Sequence, residues 1–242
     1  MFKTLVFADP HCGPALVSCK KRRPSEGLSR VAAVCGIAGA VGADLIICLG
    51  DVCDGGPSYS AGGYVWMAGR IMRETGADVI ALPGNHDAVQ MDNDTFYSCL
   101  GTPPFPFSIR AGSRIFVFLD GCFTDDGKKY GPGADWRNSY VGGGQTARLR
   151  RLFEKTTDED RFVIFSHQPI DPECESRHVL RNSGEIRDVI SVAGRGRVET
   201  CVAGHYHPGR ISDCGGISYV TLPALCEGDA NDVCNRILLL ES

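Results

Sequence analysis

The chain alternates between short apolar runs and longer amphipathic segments, and polar residues follow each apolar run directly. Short apolar runs that end at glycine or proline are typical of buried strands, whereas longer segments predict helices. In the first third of the chain, strands are predicted near residues 2–8, 44–49 and 78–81, separated by helices near 28–41 and 64–75. This β-α-β-α-β order predicts a largely parallel sheet with right-handed crossovers.

The middle of the chain is less regular. A short helix is predicted near residues 95–100, and strands at 107–109 and 114–119 are predicted to form a hairpin. A polar, glycine-rich stretch then covers residues 120–144. Because structureless segments of that length are usually functional or disordered, we expect one of these two outcomes for the loop 120–144.

Regular structure returns in the last part of the chain. A helix is predicted near residues 145–155, and a second helix is predicted to begin at Asn182 and Ser183. The predicted strands are residues 161–165, 198–203, 209–213, 217–222 and 233–240, the last three of them antiparallel. Since no linker-like break interrupts this order, we expect a single domain over residues 1–242.

The composition excludes several classes of protein. With 43% hydrophobic and 22% charged residues, the chain is typical of a globular protein. No apolar run approaches the roughly 20 residues of a membrane span, so no membrane partner is expected. The net charge of -4 argues against nucleic acid as a partner. The strand pattern at residues 2–8 leaves no room for a signal-peptide layout.

The twelve cysteines bear on the cellular compartment. They are scattered through predicted helices and strands, and no two of them have the CxxC spacing of a zinc pair. A chain of this length needs no disulfides for stability. We therefore expect free thiols in the reducing cytoplasm.

Candidate chemistry is concentrated directly after the predicted strands. In open α/β sheets this edge is where ligands bind. A lone histidine after a strand is more often a satisfied polar residue than a ligand, but five of the six histidines are placed in this way. The polar residues of these strand ends are Asp9, His11, Asp51, Asn85, His86, Asp87, His167, His205 and His207.

Carboxylate, imidazole and amide oxygen together form a ligand set for divalent metals such as Mn, Fe, Co or Zn. The absence of paired thiolates argues against a structural zinc site. The number of ligating groups suggests two metal ions. A carboxylate bridging them would hold the ions about 3.5–4 Å apart, a separation that suits phosphoryl displacement.

The blocks D-x-H, G-D, G-N-H-D, H and G-H-x-H, in this order, resemble the signature of the calcineurin-like metallophosphoesterase family. The resemblance extends over residues 9–207, which is most of the chain. It implies an α/β fold: a four-layer sandwich of two mixed β-sheets flanked by α-helices.

The resemblance also implies a role for each residue of the motifs. Two divalent ions are implied, with Mn favoured over Fe, Zn and Co. His86 is implied to be the catalytic histidine that faces the substrate, and Asp87 its orienting partner. The metal ligands implied are Asp9, His11 and His207 for one ion, Asn85, His167 and His205 for the other, and Asp51 as the bridge.

The implied activity is that of a hydrolase that uses a metal-bound hydroxide to cleave a phosphodiester or nucleotide-diphosphate bond. Its expected partner is a small phosphorylated substrate, with nucleotides among the candidates. The branch that the chain resembles most contains the cyclic-nucleotide phosphodiesterases and the manganese-dependent ADP-ribose/CDP-alcohol diphosphatases. A phosphomonoesterase, a nuclease of the same family and a non-catalytic scaffold with this fold are the alternatives. Metal analysis combined with a panel of phosphate esters would discriminate among them.

Several residues outside the motif blocks also have an interpretation. The basic run at residues 20–23 is interpreted as a solvated loop, and His178 as an exposed loop histidine. Arg210, just after the last histidine block, is a candidate phosphate contact. Candidates for seating an organic group of the substrate in the loop 120–144 are Tyr130, Trp136, Arg137 and Tyr140.

Overall fold

The computed structural model describes residues 1–19, 21–56, 58–105, 107–229 and 232–242, without the side chains of residues 58–60. Lys20, the first residue of the basic run, therefore lies outside the described residues. Among the described residues, no helix combines the length and the apolar character needed to cross a bilayer.

The described strands form two mixed sheets. The first sheet contains β1 (Lys3–Phe7), β2 (Leu45–Cys48), β3 (Asp78–Ala81) and β10 (Ile237–Glu241), in the order β10-β1-β2-β3. Its strands are parallel except for β10, which is antiparallel to β1. The second sheet contains β4 (Ser108–Ala111), β5 (Arg114–Leu119), β6 (Arg161–Ser166), β7 (Val198–Ala203), β8 (Arg210–Cys214) and β9 (Ile217–Thr221). Its order is β4-β5-β6-β7-β9-β8, with antiparallel edge strands.

Two details of the last strands differ from the sequence prediction. β9 pairs antiparallel with β8 but parallel with β7, so the tail is not uniformly antiparallel. The predicted strand 233–240 begins only at Ile237, because Val233–Arg236 forms a 3₁₀ turn. Arg236 stabilises this turn by donating from Nη1 to the carbonyl of Ala224 at 2.8 Å.

The described helices flank the sheets. They are α1 (Gly27–Val41), α2 (Ser58–Arg73), α3 (Asn85–Gln90), α4 (Asn93–Leu100), α5 (Gln145–Lys155) and α6 (Ser183–Gly194). α3 was not expected from the sequence, and α2 begins before the predicted residue 64. Asn182 precedes α6 but does not cap it with its side chain. Its amide instead exchanges two hydrogen bonds with the backbone of Val141, which ties the end of the loop 120–144 to α6.

The hydrophobic core is divided into three layers by the two sheets. In β1, Leu5 and Phe7 face the helices α1 and α2, whereas Val6 faces the second sheet. Between the sheets, the rings of Phe118 and Phe165 stack with their centroids 5.3 Å apart. α5 and α6 cover the far side of the second sheet through residues such as Phe153. The four-layer sandwich expected from the resemblance is confirmed.

The packing of the sheets brings the carboxyl ends of their parallel strands to one edge of the molecule. Asp9 and Gly50 follow β1 and β2, and the backbone N–H of Asp9 donates to the carbonyl of Gly50 at 3.1 Å. His205 follows β7, and its N–H donates to Oδ2 of Asp9 at 2.9 Å. The carboxylate of Asp9 thus joins the ends of both sheets.

Candidate metal centre

Four of the predicted ligands stand on left-handed turns at the strand ends. The φ angles are 55° at Asp9, 44° at His11, 51° at Asp51 and 66° at His205. Residues with a Cβ rarely adopt this conformation, which costs on the order of 1–3 kcal/mol where the surroundings enforce it. Backbone strain is therefore concentrated at these predicted ligand positions.

Glycines of the motif blocks allow the ligands to approach the backbone closely. A Cβ added to Gly84 would overlap the carboxylate of Asp51. A Cβ added to Gly204 would lie 2.5 Å from Oδ2 of Asp9. These two positions need glycine because any larger residue would displace a carboxylate of the centre.

Asp9, His11 and His207 bring their donor atoms together in a group that is buried except for the partly exposed His207. The Nε2 atoms of His11 and His207 are 3.1 Å apart. Oδ1 of Asp9 lies 3.7 Å from Nε2 of His11 and 3.6 Å from Nε2 of His207. Three donor atoms at such spacing can surround one cation.

A second group lies beside the first and shares Asp51 with it. Oδ1 of Asn85 is 3.2 Å from Nε2 of His167, and Oδ2 of Asp51 is 3.4 Å from the same nitrogen. Asp51, His167 and His205 can present ligand atoms within 4.8 Å of one another. Oδ2 of Asp51 also lies 3.5 Å from Nε2 of His11. One carboxylate therefore touches both groups.

Unpaired polar atoms show that this donor set fits divalent cations. Among the described residues, Oδ1 of Asp9 and Nε2 of His205 are buried without a hydrogen-bond partner. Buried polar groups without partners destabilise a fold, so native structures rarely keep them unless something else binds there. A cation beside these atoms would satisfy them.

Three imidazoles of the centre also face an oxygen acceptor with their Nδ1 atom. A proton on Nδ1 leaves the lone pair of Nε2 directed into the centre, as a metal ligand requires. The pairs are His167 with the Leu49 carbonyl at 2.7 Å and His207 with Oε1 of Glu227 at 2.7 Å, both hydrogen bonds, and His11 with Oδ1 of Asp54 at 3.1 Å, a contact without hydrogen-bond geometry. Glu227 and Asp54 were not assigned a role from the sequence.

The electrostatics of the centre are those of buried carboxylates among imidazoles. Burial would raise the pKa of Asp9, but His11 beside it and the imidazoles of His167 and His207 lower it to about 2. Burial would likewise lower the pKa of His167, but the charge of Asp51 raises it to about 9. The carboxylates thus remain anionic and attract positive charge to this point.

His86 lies at the rim of the centre, at the start of α3. Its backbone N–H donates to Oδ1 of Asp51 at 2.8 Å, and its Nδ1 lies 2.8 Å from the carbonyl of Asp54. Its Nε2 points into the cavity, where Nη1 of Arg22 lies 3.1 Å away. Burial, together with the charges of His11 and Arg22, lowers the pKa of His86.

Asp87 does not orient the ring of His86, so that part of the sequence prediction is wrong. Its carboxylate accepts from the backbone N–H groups of Val52 at 3.1 Å, Cys53 at 3.0 Å and Gly84 at 2.9 Å. Adjacent residues of a helix point in different directions, so the side chains at 86 and 87 diverge. Burial and the charge of Asp51 raise the pKa of Asp87 to about 6.

A cavity of about 240 Å³ opens onto the two ligand groups. One wall is aromatic: the ring centroid of Trp136 lies 5.1 Å from that of His178 and 5.4 Å from that of His205. The ring of His178 in turn lies 5.2 Å from that of Tyr206. The non-ligand residues of the lining include Arg22, Trp136, Glu175, Arg177, His178 and Tyr206.

The residues that line the cavity contradict two interpretations made from the sequence. His178 is half-buried in the aromatic wall and is not an exposed loop histidine. Arg22 enters the cavity, so the basic run is not simply a solvated loop. Local sequence carries no sign of either position, because both depend on how distant loops fold back over the strand ends.

Other predicted contacts lie away from the cavity. Arg210 pairs with Glu173 at 2.5 Å and with Asp171 at 3.4 Å. Tyr130 is buried within the loop 120–144 and hydrogen-bonded to Ser139 at 2.9 Å. Among the candidates of that loop, all of them described, Trp136 is the one in the cavity lining; Arg137 pairs with Asp135, and Tyr140 bridges to Phe123.

The family model of the calcineurin-like phosphoesterases matches residues 2–209. Among solved structures, a dimetal phosphatase from Danio rerio is similar at 16% sequence identity, with a TM-score of 0.79 over 95% of this chain and 90% of that chain. A putative 5'-nucleotidase from Staphylococcus aureus is similar at 15% identity, with a TM-score of 0.61 over 93% of this chain and 49% of that chain.

A phosphopantetheinyl hydrolase from Mycobacterium tuberculosis is similar at 14% identity, with a TM-score of 0.51 over 92% of this chain and 90% of that chain. At these identities the similarity to solved structures concerns the fold. No curated protein matches the chain.

Proposed function

The chain belongs to the calcineurin-like phosphoesterase family and is a metal-dependent hydrolase of phosphoric esters that uses two divalent ions; we propose that it cleaves a phosphodiester or nucleotide-diphosphate bond. The single observation that carries a dinuclear reaction centre is the position of Asp51. Its Oδ2 lies 3.5 Å from His11 and 3.4 Å from His167, so one carboxylate reaches both ligand groups.

The proposed ligands follow from the two groups. Asp9, His11 and His207 would hold one ion, and Asn85, His167 and His205 would hold the other, with Asp51 within reach of both groups. Mn is the favoured ion, since the set combines hard oxygen with imidazole donors and contains no paired thiolates. When bound, two dications would supply a lowered pKa for water and positive charge for the phosphoryl oxygens.

His86 is proposed to contact the phosphoryl group or the leaving oxygen. Its Nδ1 is held by the Asp54 carbonyl, so its Nε2 faces the cavity. The negative charge of a bound phosphoryl group favours the protonated ring, which can then donate a hydrogen bond or a proton. Asp87 contributes indirectly, because it fixes the start of the helix that carries His86.

The aromatic wall supports a substrate with an organic group on the far side of the phosphate. The half-buried ring of Trp136 stands over His178 and His205, beside the ligand groups. Such a surface suits a nucleoside or another planar group. A small phosphate monoester would leave it unused, so a diester or a nucleotide diphosphate is the better match.

The test is a comparison of substrates on protein loaded with Mn. We expect a higher kcat/KM for diesters and nucleotide diphosphates than for the matched monoester. Trp136→Ala should reduce kcat/KM for the nucleotide substrate roughly tenfold and leave a small aryl diester nearly unchanged. Trp66→Ala is the matched control, because Trp66 is 48% exposed on α2, away from the cavity lining. Faster hydrolysis of the monoester with every metal would make the protein a phosphomonoesterase.

Two further proposals concern the whole chain. Residues 1–242 are proposed to be one domain, since both sheets contribute ligands to one centre. The protein is proposed to act in the cytoplasm, because all twelve of its cysteines, each in the described part of the chain, are free thiols.

A further inference from the structure

The loop before α1 folds back over the candidate metal centre. The backbones of Ser18 and Arg22 exchange two hydrogen bonds, each of 3.0 Å, which form an antiparallel bridge. Ser18 also donates from Oγ to Oδ2 of Asp54 at 2.7 Å. Because Asp54 contacts His11, a proposed ligand, this bridge is fixed against the centre itself.

This anchoring directs the side chain of Arg22 into the cavity. Its Nη1 lies 3.2 Å from Oδ1 of Asp54 and 3.1 Å from Nε2 of His86. The side chain is only 17% exposed. Among the described residues, its Nε and Nη2 atoms have no protein acceptor. Nε and Nη2 thus keep donors that no described residue uses, on a side chain that lines the cavity.

A purely structural role explains this arrangement poorly. An arginine that only stabilised the loop could pair with Asp54 and keep the rest of its guanidinium in water. Here Nη1 of the guanidinium instead lies beside Nε2 of His86, the ring nitrogen that faces the cavity. Guanidinium groups match phosphoryl oxygens with paired donors, and a partly buried one forms the stronger contact.

We propose that Arg22 is a substrate-binding residue that contacts the same phosphoryl group as His86. This inference rests on the proposed function, since it assumes a phosphorylated substrate in the cavity. Arg22 would exchange its contact with His86 for phosphoryl oxygens, while Asp54 keeps the guanidinium in place. Its contribution then depends on the phosphoryl group alone and is the same for substrates with different organic parts.

The experiment compares Arg22→Ala and Arg22→Lys with the control Arg23→Gln in protein loaded with Mn. Arg23 is the neighbouring arginine, but its side chain is 49% exposed and pairs with Glu26 at 3.8 Å, outside the cavity lining. Three quantities are measured: kcat/KM for a diester and for a nucleotide diphosphate, the dissociation constant of inorganic phosphate, and metal content.

We expect Arg22→Ala to lower kcat/KM for both substrates, and the affinity for phosphate, by roughly 10- to 100-fold, with metal content unchanged. Arg22→Lys should recover part of the loss, because it keeps the charge but not the fork. Added guanidinium ion should partly restore Arg22→Ala, a rescue that a structural role would not give. Arg23→Gln should match the unsubstituted protein.

If Arg22→Ala binds phosphate with an affinity within about twofold of the unsubstituted protein, the assignment of Arg22 is overturned. A loss of bound metal in Arg22→Ala that parallels its loss of activity would also overturn it. These outcomes are distinct from a failure of the proposed function. If the unsubstituted protein hydrolyses no phosphate ester, the proposed function fails, and the phosphate dissociation constants still decide whether Arg22 binds phosphoryl oxygens.

Discussion

The Nδ1 atom of His207 lies 2.7 Å from Oε1 of Glu227, twenty residues further along the chain. The hydrogen bond from His207 lowers the pKa of Glu227, so this carboxylate is anionic. An anionic acceptor at Nδ1 fixes the ring orientation and makes Nε2 a stronger ligand. We therefore expect Glu227 to position His207 within one of the two proposed ligand groups.

Glu227→Gln should weaken metal binding without removing a ligand. The amide can still accept from His207, but it lacks the charge that strengthens Nε2, so we expect affinity for Mn to fall roughly 10-fold, and no more than 100-fold. Calorimetric titration of the metal-free protein measures this. Glu199→Gln is the control, because Glu199 lies on β7 away from the proposed ligands and pairs with Arg114 of β5. Equal affinities for both variants would refute the role of Glu227.

Asp51→Asn should reduce the affinity at both metal sites, because Asp51 alone is proposed to touch both ions. His207→Ala should instead weaken one site more than the other. Elemental analysis under saturating Mn, combined with titration, separates these outcomes. A single tightly bound ion in the unsubstituted protein would contradict the dinuclear centre.

His86→Asn should separate catalysis from metal binding. His86 contacts Asp51 through its backbone, while its ring faces the cavity. We expect both ions to remain and about 2–4 kcal/mol of transition-state stabilisation to be lost, the range for one preorganised donor. The values of kcat and of metal content are measured on the same samples. Parallel loss of both would identify His86 as a ligand.

The stability of the metal-free protein should depend on pH through His167. Its pKa rises from 6.5 to about 9 on folding: burial opposes this shift, and the charge of Asp51 drives it. The stabilisation is complete below pH 6.5 and is lost as the pH rises through about 9. We expect the free energy of unfolding in urea, with chelator, to fall by on the order of 3 kcal/mol across this window.

Metal affinity should change in the opposite direction over the same window, because cations bind the neutral imidazole. His167→Asn supplies the control, since it removes the titrating group, and its stability should decline less between pH 6.5 and 9. If the free energy of unfolding falls equally with pH in the metal-free unsubstituted protein and in metal-free His167→Asn, His167 is not the source of the pH dependence.

Cysteine reactivity should follow exposure. Cys19, Cys214 and Cys234 are exposed and should react rapidly with a thiol reagent at pH 8, whereas burial raises the pKa of Cys35 and Cys174 to about 11. All twelve thiols should react after denaturation without reductant. Native disulfides in protein kept reduced during purification would contradict this expectation.

Much of the fold was predictable because its signals are local. The apolar runs that form β3, β6 and β7 are bounded by breakers and followed by polar blocks, so both the strands and the edge that bears the ligands could be read from short windows. The helix 145–155 was predicted with its observed bounds.

The rest of the site depends on long-range contacts that no local pattern encodes. Glu227 reaches His207 from a loop after β9, and Arg22 reaches His86 across 64 positions of sequence. Asp87 illustrates the converse case: its place in the G-N-H-D block suggested a contact with His86, but the unexpected start of α3 turns its carboxylate towards backbone donors instead. The position of His178 also depends on a long-range contact, since its partner Trp136 comes from another loop.

The left-handed turns at the ligands have a consequence for evolution under heat. Glycine adopts these backbone angles freely, so Asp9→Gly or Asp51→Gly would relieve about 1 kcal/mol of strain. Each change would also leave a backbone N–H without its carboxylate acceptor, that of His205 or that of His86, at a cost of about 1–3 kcal/mol. A library screened only for survival at high temperature is therefore expected to retain both carboxylates, even in the presence of a chelator.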